Sequence, residues 1–493
     1  MSATAESTPG VVPPPPAKRF FGQPGWFGTL FMVDMWERFS FYGMRAILIL
    51  YLVAPPGRGG LGLPVGTAAP LFGLYMSAVF LAALPGGWVS DRLLGPRRTV
   101  LVGAVTIACG HYAMVVPAVP FVCAGLVLIA AGTGLVKPGM GALVSHLYPH
   151  ETGRRDAAWS VFYMSIQVSA LLAPLVTGLL GERVNWHLGF MAAGVGMTFG
   201  AVQYVAGMRR FGDLGAAPPR PMAPGELRPV LRRTGLAGGG VAALLALDVL
   251  AGAFTVEHVL ALVAVAVVVV PAAAYRSILR ARELSGDERR RVRAFLWLLL
   301  ASAVFWMPYD QGGSLLNLFA ERDTDRTLAG FELPASWLQS LHPAFILLLA
   351  PLFAWFWVRR GEGFSTSAKF AAGLVLMGSS FVVMVFAALG AQGGARVSMV
   401  FLVVVYLLQV AGELALAPPG LSALSRTAPK AYVSRMMGVW WLFAALGVGL
   451  GGQLARLSTV VPPPVYFAAL GLLVLAVGVA VAAFARRIDR ALS

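Results

Sequence analysis

A chain of 493 residues that is 58% hydrophobic and only 12% charged stands far from the roughly 25% charged residues of an average soluble protein, and reads as a polytopic membrane protein. Its net charge of +16 would suit nucleic acid, but nearly all the basic residues lie in short links between apolar runs. The charge therefore belongs to membrane topology, and no nucleic-acid partner is expected.

In chain order, residues 1–27 hold no apolar core before Phe20 and read as a disordered cytoplasmic tail rather than a cleaved signal. Apolar runs of about 20 residues bounded by Gly, Pro or Arg then give about fourteen spans. Six fall in 28–210, at about 28–54, 67–90, 98–118, 120–145, 156–181 and 188–208. A Pro- and Arg-rich linker, 211–290, carries two almost purely aliphatic spans, about 234–252 and 256–278. Six more follow in 291–487, at about 292–319, 334–358, 366–389, 396–425, 431–456 and 462–485, before a short tail, 488–493. Arginine clusters fall on alternate sides of this count, so both termini are expected in the cytoplasm. Cys109 and Cys123 sit inside apolar runs and read as small core residues rather than a disulfide or metal pair.

The first span is the costly one. FMVDMWERFSFYGMRAILILY (31–51) carries Asp34, Glu37, Arg38 and Arg45, and a charge at the bilayer centre costs roughly 2.5–3.5 kcal/mol unless it pairs or faces water. At about 100° per residue, Asp34, Arg38, Tyr42 and Arg45 share an arc of about 80°, opposite an apolar back. Elsewhere, ionisable residues deep in apolar runs are few: His111, Lys137, Asp248, Asp310, His342 and Glu413. His111 reads as a core histidine, and Asp248 as locally paired or interfacial. Lys137 is one of four lysines and stands among Gly132, Gly134, Pro138 and Gly139, which permit close helix approach and a loosened backbone. Cations in the first half (Arg38, Arg45, Lys137) thus oppose anions in the second (Asp310, Glu413), an arrangement that suits a zwitterion and allows cross-pairing when the cavity is empty. No Walker loop, HExxH, GxSxG or Cys/His cluster appears, so an enzyme is not expected.

Six spans, a linker and six more resemble the major facilitator layout, with the site between halves near the midplane. The loop GGWVSDRLLGPRR resembles that superfamily's loop signature: Gly87 would allow close packing, and Asp91 with Arg92, Arg97 and Arg98 would form a charge latch. The resemblance then narrows. DMWERFSFYGMRAIL is similar to the ExxERFxYYGxR signature of the proton-coupled oligopeptide transporters. GTGLVKPGMGAL, WSVFYMSIQVSALLAPL, FWMPYDQGGSLLNLFAERDTDR, LPASWLQSLHPAFILLLAPLFAWFW and GELALAPPGLSALSRTAPKAYVSRMMGVWWLFAALGVGLGG resemble family segments in the same order. The resemblance implies an all-α integral membrane protein of major facilitator fold, two six-helix bundles plus two extra helices as in bacterial members, in the bacterial inner membrane. It implies a symporter of di- and tripeptides or peptide-like molecules, coupled to protons with no other cofactor, working as a monomer among membrane lipids.

Carried over by position, Asp34, Glu37 and Arg38 are implied in proton coupling. Arg45 and Lys137 are implied in holding the peptide carboxylate and in coupling, Asp310 in protonation and gating against Arg45, and Glu413 in coupling as well as in receiving the peptide amino group and pairing with Lys137. Tyr42, Tyr75, Gln167, Trp306, His342 and Trp440 are implied pocket residues. Departures from the family's pattern are Asp34 and Asp310 for glutamate, Gln167 and His342 for asparagine, and Phe41 for a common tyrosine. A protonated His342 would repel a peptide ammonium, so uptake is expected to fall more steeply at low pH than in asparagine-bearing relatives. Open alternatives are another small solute on the same fold, or a membrane-embedded enzyme using the carboxylates as acid and base.

Overall fold

The computed structural model describes residues 19–492 except 148–151, 224, 254, 361 and 362; the expected tail over 1–18 lies outside the described residues. A two-residue hairpin, β1 (Arg19–Phe20) with β2 (Gln23–Pro24), leads into α1 (Phe27–Val53). The first half continues with α2 (Val65–Leu81), α3 (Ala83–Val89), α4 (Pro96–Val115), α5 (Val119–Leu147), α6 (Thr152–Arg183) and α7 (Trp186–Met208). The linker helices are α8 (Leu227–Leu250) and α9 (Val256–Leu279). Next come α10 (Gly286–Tyr309), a 3-10 turn (Asp310–Gly313) and α11 (Leu315–Arg322). The short strands β3 (Thr324–Asp325), β4 (Thr327–Leu328) and β5 (Phe331–Glu332) and a 3-10 turn (Ala335–Ser340) precede α12 (Leu341–Arg360) and α13 (Thr366–Gly390). The chain closes with β6 (Val397–Ser398), α14 (Val400–Thr427), α15 (Val433–Leu454) and α16 (Pro463–Leu492).

Among the described residues, 13 helical segments are long and apolar enough to cross a bilayer. α1, at 27 residues, is long enough too, and its four charges alone set it apart. The spans fall close to the apolar runs of the sequence because each run must satisfy its backbone internally to enter lipid. Prolines inside α2, α5, α6, α9, α10, α12 and α14 each remove one ladder hydrogen bond, which is where membrane helices bend. Two element edges and the placement of the cysteines differ from the sequence reading. The second half starts at Gly286, where Ser285 and Glu288 form a capping box. Residues 488–492 are the last turns of α16, where Asp489 accepts a 2.8 Å bond from Ser367 Oγ. Cys109 and Cys123 are free and exposed on the outside of the first bundle, not in its core.

In the first half α1 packs on α6 and α7, and α4 on α5 and α7; in the second, α13 packs on α14 and α16, and α10 on α15 and α16. The halves meet where α2 crosses α15. A Cβ on Gly73 would lie 2.6 Å from Gly452 Cα, so glycine is needed on both sides. Nearby, Ser77 Oγ lies 2.9 Å from the Ala445 carbonyl. α9 rests against both α2 and α15 and is tied at its start by Glu257, which pairs with Arg456 and accepts a 3.2 Å bond from Thr67. None of the described residues of α8 is buried. Its Asp248 pairs locally with His258 at 2.6 Å.

A Cβ on Gly451 would fall 2.1 Å from the Met307 carbonyl oxygen, a backbone obstacle no rotamer relieves. Overpacking costs about 1–3 kcal/mol, so Gly451→Val is expected to lower the melting temperature of the detergent-purified protein by several degrees. An unchanged melting temperature would contradict this packing.

Candidate functional site

The charged stripe of α1 divides along its length. Near its start Asp34 and Glu37 are buried, at 1% and 0% exposure. Ser165 Oγ, from α6, lies 2.6 Å from both Asp34 Oδ2 and the Phe162 carbonyl; with one proton, it serves one of them at a time. Arg38 Nε stands 3.2 Å from Glu37 Oε2 and 3.8 Å from Asp34 Oδ1, while neither Glu37 oxygen has an aligned hydrogen bond. Charge, rather than hydrogen-bond geometry, holds this triad together.

The triad opens onto a cavity of about 600 Å³ lined by Asp34, Arg38, Lys137, Met140, Trp159 and Tyr163 among others. It lies towards the arginine-rich end of the bundle. Lys137 Nζ sits 5.2 Å from the centroid of Phe41 and 4.8 Å from that of Phe80, with no carboxylate pairing it among the described residues. Sequence reasoning missed Trp159 and Tyr163. Both lie on one face of α6 with the buried Gln167; their spacing of four was the available signal.

Further along α1, Arg45 Nη2 is 3.0 Å from Asp310 Oδ1, so the shorter aspartate still reaches. The fit needs Gly313, since a Cβ there would stand 2.6 Å from Phe72 and 3.1 Å from Arg45 Cζ. The neighbouring Ala46 carbonyl accepts from Asn317 Nδ2 at 2.8 Å and Gln339 Nε2 at 3.2 Å.

In the second half Glu413, from α14, accepts a 3.0 Å hydrogen bond from Tyr309 OH. His342 Nε2, from α12, lies 3.3 Å from the same carboxylate oxygen, at ion-pair distance though without aligned hydrogen-bond geometry. Trp306 and Tyr309 meet edge to face at 4.6 Å, and Tyr309 and His342 at 5.1 Å. The Tyr75 hydroxyl and Trp306 Nε1 are buried with no partner among the described residues, polar atoms for which a ligand would supply one. Tyr42 is partly buried beside Phe41 at 5.3 Å. Two expectations differ from the structure. Glu413 is held by Tyr309 and His342 in place of Lys137, because both come from helices of its own bundle. Trp440 lies in the core rather than on the cavity wall: it is fully buried, packed on Phe370 at 6.1 Å and over Gly420.

At the arginine-poor end the halves are clasped. Glu182, at the end of α6, accepts bonds from the Ala335 and Ser336 amides at 2.7 and 2.9 Å, capping the 3-10 turn before α12. Trp337 Nε1 donates to the Leu175 carbonyl at 2.9 Å and Ser340 Oγ to that of Leu171 at 2.8 Å.

The loop motif at the other end corrects its expectation twice. Gly86, not Gly87, permits close packing: a Cβ there would meet the Gly134 carbonyl at 1.9 Å, whereas at Gly87 the nearest atom is 3.6 Å away. The arginines serve the linker rather than a latch with Asp91. Arg92 pairs with Glu226 at 2.8 Å, Arg97 donates to the Gly212 carbonyl at 2.9 Å, and the Asp91 carbonyl accepts from the Arg220 amide at 3.0 Å. The linker folds back along this loop and offers partners nearer than Asp91, while Arg98 is exposed.

Known proteins share this fold. The family model described as the POT family matches residues 97–473. A di-/tripeptide transporter of Lactococcus lactis is 34% identical over 472 residues, covering 94% of this chain and 95% of its own. A crystal structure of a peptide transporter POT in complex with sulfate superposes with a TM-score of 0.92 at 38% identity, covering 97% of each chain. A POT family transporter in complex with 5-aminolevulinic acid gives 0.92 at 33% identity, covering 96% of this chain and 98% of its own. With its two helical halves, the charges divided between them and these relatives, the chain belongs to the POT family of membrane transporters, of major facilitator fold, and is not an enzyme.

Proposed function

We propose that the chain carries di- and tripeptides into the cell together with protons, by alternating access between its two bundles. The observation that carries this reading is the separation of charge between the halves: Lys137 on α5, with no carboxylate pairing it among the described residues, and Glu413 on α14, with Arg45 on α1 paired to Asp310. A free peptide presents a carboxylate and an ammonium, and the two halves match its two ends. Relatives named for di- and tripeptides support the cargo. Arginine placement supports both termini on the cytoplasmic side of a bacterial inner membrane, so the clasped end faces outward and the cavity inward.

Asp34, Glu37, Arg38 and Asp310 are the proton-handling groups in this reading. Protonation of Asp310 releases Arg45 and loosens the outer contact, while the triad on α1 couples cavity occupancy to its own charge. A second reading, carriage of a smaller amino acid, is favoured by the likeness to the transporter bound to 5-aminolevulinic acid.

Thermal stabilisation of the purified protein by dialanine, trialanine, alanine and 5-aminolevulinate separates these. Stabilisation by the peptides above alanine is expected. Proteoliposomes should then concentrate dialanine only with an inward proton gradient. Gradient-independent uptake would remove the coupling, and stabilisation by alanine alone would remove the peptide.

A further inference from the structure

By sequence α9 belongs to the linker, yet it sits in the groove between the two halves. Its buried Leu260 and Val267 pack with Leu71, Leu74 and Leu81 of α2 and with Leu446 of α15. A Cβ on Gly449 of α15 would lie 2.7 Å from Val267 Cγ1 and 2.9 Å from Ser77 Oγ of α2, so three helices meet at one glycine. At the arginine-rich end, α9 and the segment after it are bound to the second half. Tyr275 OH donates to the Val292 carbonyl at 3.1 Å, and its ring meets that of Phe443 at 6.2 Å. Arg289 donates to the Leu279 and Ala281 carbonyls at 3.2 and 3.1 Å, and Tyr432 OH to Glu283 at 3.1 Å. At the arginine-poor end one carboxylate serves both halves. Glu257 pairs through Oε2 with Arg456, which follows α15, and accepts at Oε1 a 3.2 Å bond from Thr67 Oγ1 of α2. α8, through which the chain reaches α9 from the first half, has no buried residue among those described, so it does not hold α9 to that half.

We propose that α9 is a working part of the second half and that Glu257 is a positioning residue of the transport cycle, holding α2 against that half while the outer end is closed. This rests on the alternating-access reading above, with the arginine-poor end outward. Arg456 keeps the carboxylate with the second half by charge and hydrogen bond together, whereas Thr67 contributes one neutral hydroxyl and is the weaker hold. When the halves part at the outer end, Thr67 leaves and water takes its place at Oε1, because the Glu257 side chain is 40% exposed. The apolar stripe Leu260–Val267 makes no directional bond, so α2 rolls on it at little cost.

The test uses the full chain with Cys109→Ser and Cys123→Ser, in proteoliposomes assayed by dialanine counterflow, and two cysteine pairs bridged by a bifunctional methanethiosulfonate reagent. Bridging Thr67→Cys to Glu257→Cys joins α2 to α9 and should lower counterflow at least tenfold, with recovery on reduction. Bridging Glu257→Cys to Arg456→Cys joins α9 to its own half and should leave counterflow within twofold of the unbridged pair. Tolerance of the first bridge, or arrest by the second, would overturn the proposal. A second measurement needs neither a bridge nor a substrate. Ala335 is buried at the outer closure, and Thr67→Val should raise labelling of Ala335→Cys by an impermeant maleimide roughly 2- to 10-fold, with Thr67→Ser restoring the slow rate. Equal labelling with threonine and valine at position 67 would overturn the role of Glu257. If the chain carried no dialanine, or a cysteine pair failed to fold, this labelling would still decide the proposal, and the first of those results would count against the peptide reading alone.

Discussion

Lys137→Ala is expected to abolish proton-driven accumulation of dialanine in proteoliposomes while leaving some counterflow. Lys137 stands over Phe41 and Phe80 at 5.2 and 4.8 Å, contacts of about 0.5–2 kcal/mol. Those suffice to park an ammonium beside a wet cavity and are weak enough to release it. A charge-assisted hydrogen bond to a peptide carboxylate contributes about 1.5–3 kcal/mol, so its loss alone should weaken binding by roughly 10- to 100-fold. Accumulation needs more than binding: in the proposed cycle the ammonium of Lys137 links substrate to the charged α1 residues that line the same cavity, which alanine cannot do. Counterflow needs no proton and survives at high substrate. Lys137→Arg keeps the charge but spreads it over a planar fork, and should recover binding more than accumulation. Full accumulation by the alanine variant would remove Lys137 from the coupling.

What made Lys137 legible was its cost. A lone lysine in an apolar run, like four charges in one span, is so unfavourable in lipid that its position in the sequence nearly announces a cavity. The same reasoning placed the spans to within a few residues, since length and hydropathy are properties of each segment alone. Pairing between segments is not. Glu413 reaches Tyr309 and His342 because α10, α12 and α14 share a bundle, and its distance from Lys137 depends on how far the bundles have parted. Trp440 shows the same limit: the segment MMGVW follows the family's pattern, yet burial against Phe370 and Gly420 depends on the rotation of α15, which no local pattern encodes. Gly86 and Gly87 are neighbours in one motif, and only the crossing of α3 with α5 tells which one needs to lack a side chain. Trp159 and Tyr163 were hidden for the opposite reason, since aromatic residues on a membrane helix ordinarily signify packing or lipid contact.

Gly178→Val is expected to hold the outer end open and reduce transport roughly 5- to 150-fold, in a protein that still folds. Gly178 on α6 faces the turn that Glu182 caps: a Cβ there would lie 1.9 Å from Ser336 Oγ, 3.2 Å from Ser336 Cβ and 3.3 Å from Trp337 Cδ1. Ser336 could turn its hydroxyl aside for alanine only by giving up its bond to Glu182, and the two branches of valine leave no such escape. Overpacking of about 1–3 kcal/mol falls on the clasped state alone, because in the other state of an alternating-access cycle these surfaces have parted. A shift of that size moves the balance of states by roughly 5- to 150-fold. Ala335 is fully buried beneath the clasp, so a cysteine there reports it. In a background of Cys109→Ser and Cys123→Ser, which removes the two exposed thiols, an impermeant maleimide should label Ala335→Cys slowly, and at least tenfold faster once Gly178→Val is added. Gly178→Ala should fall between. Unchanged labelling with transport intact would show that α6 and the turn before α12 do not form the outer closure, leaving that work to Arg45 and Asp310 alone.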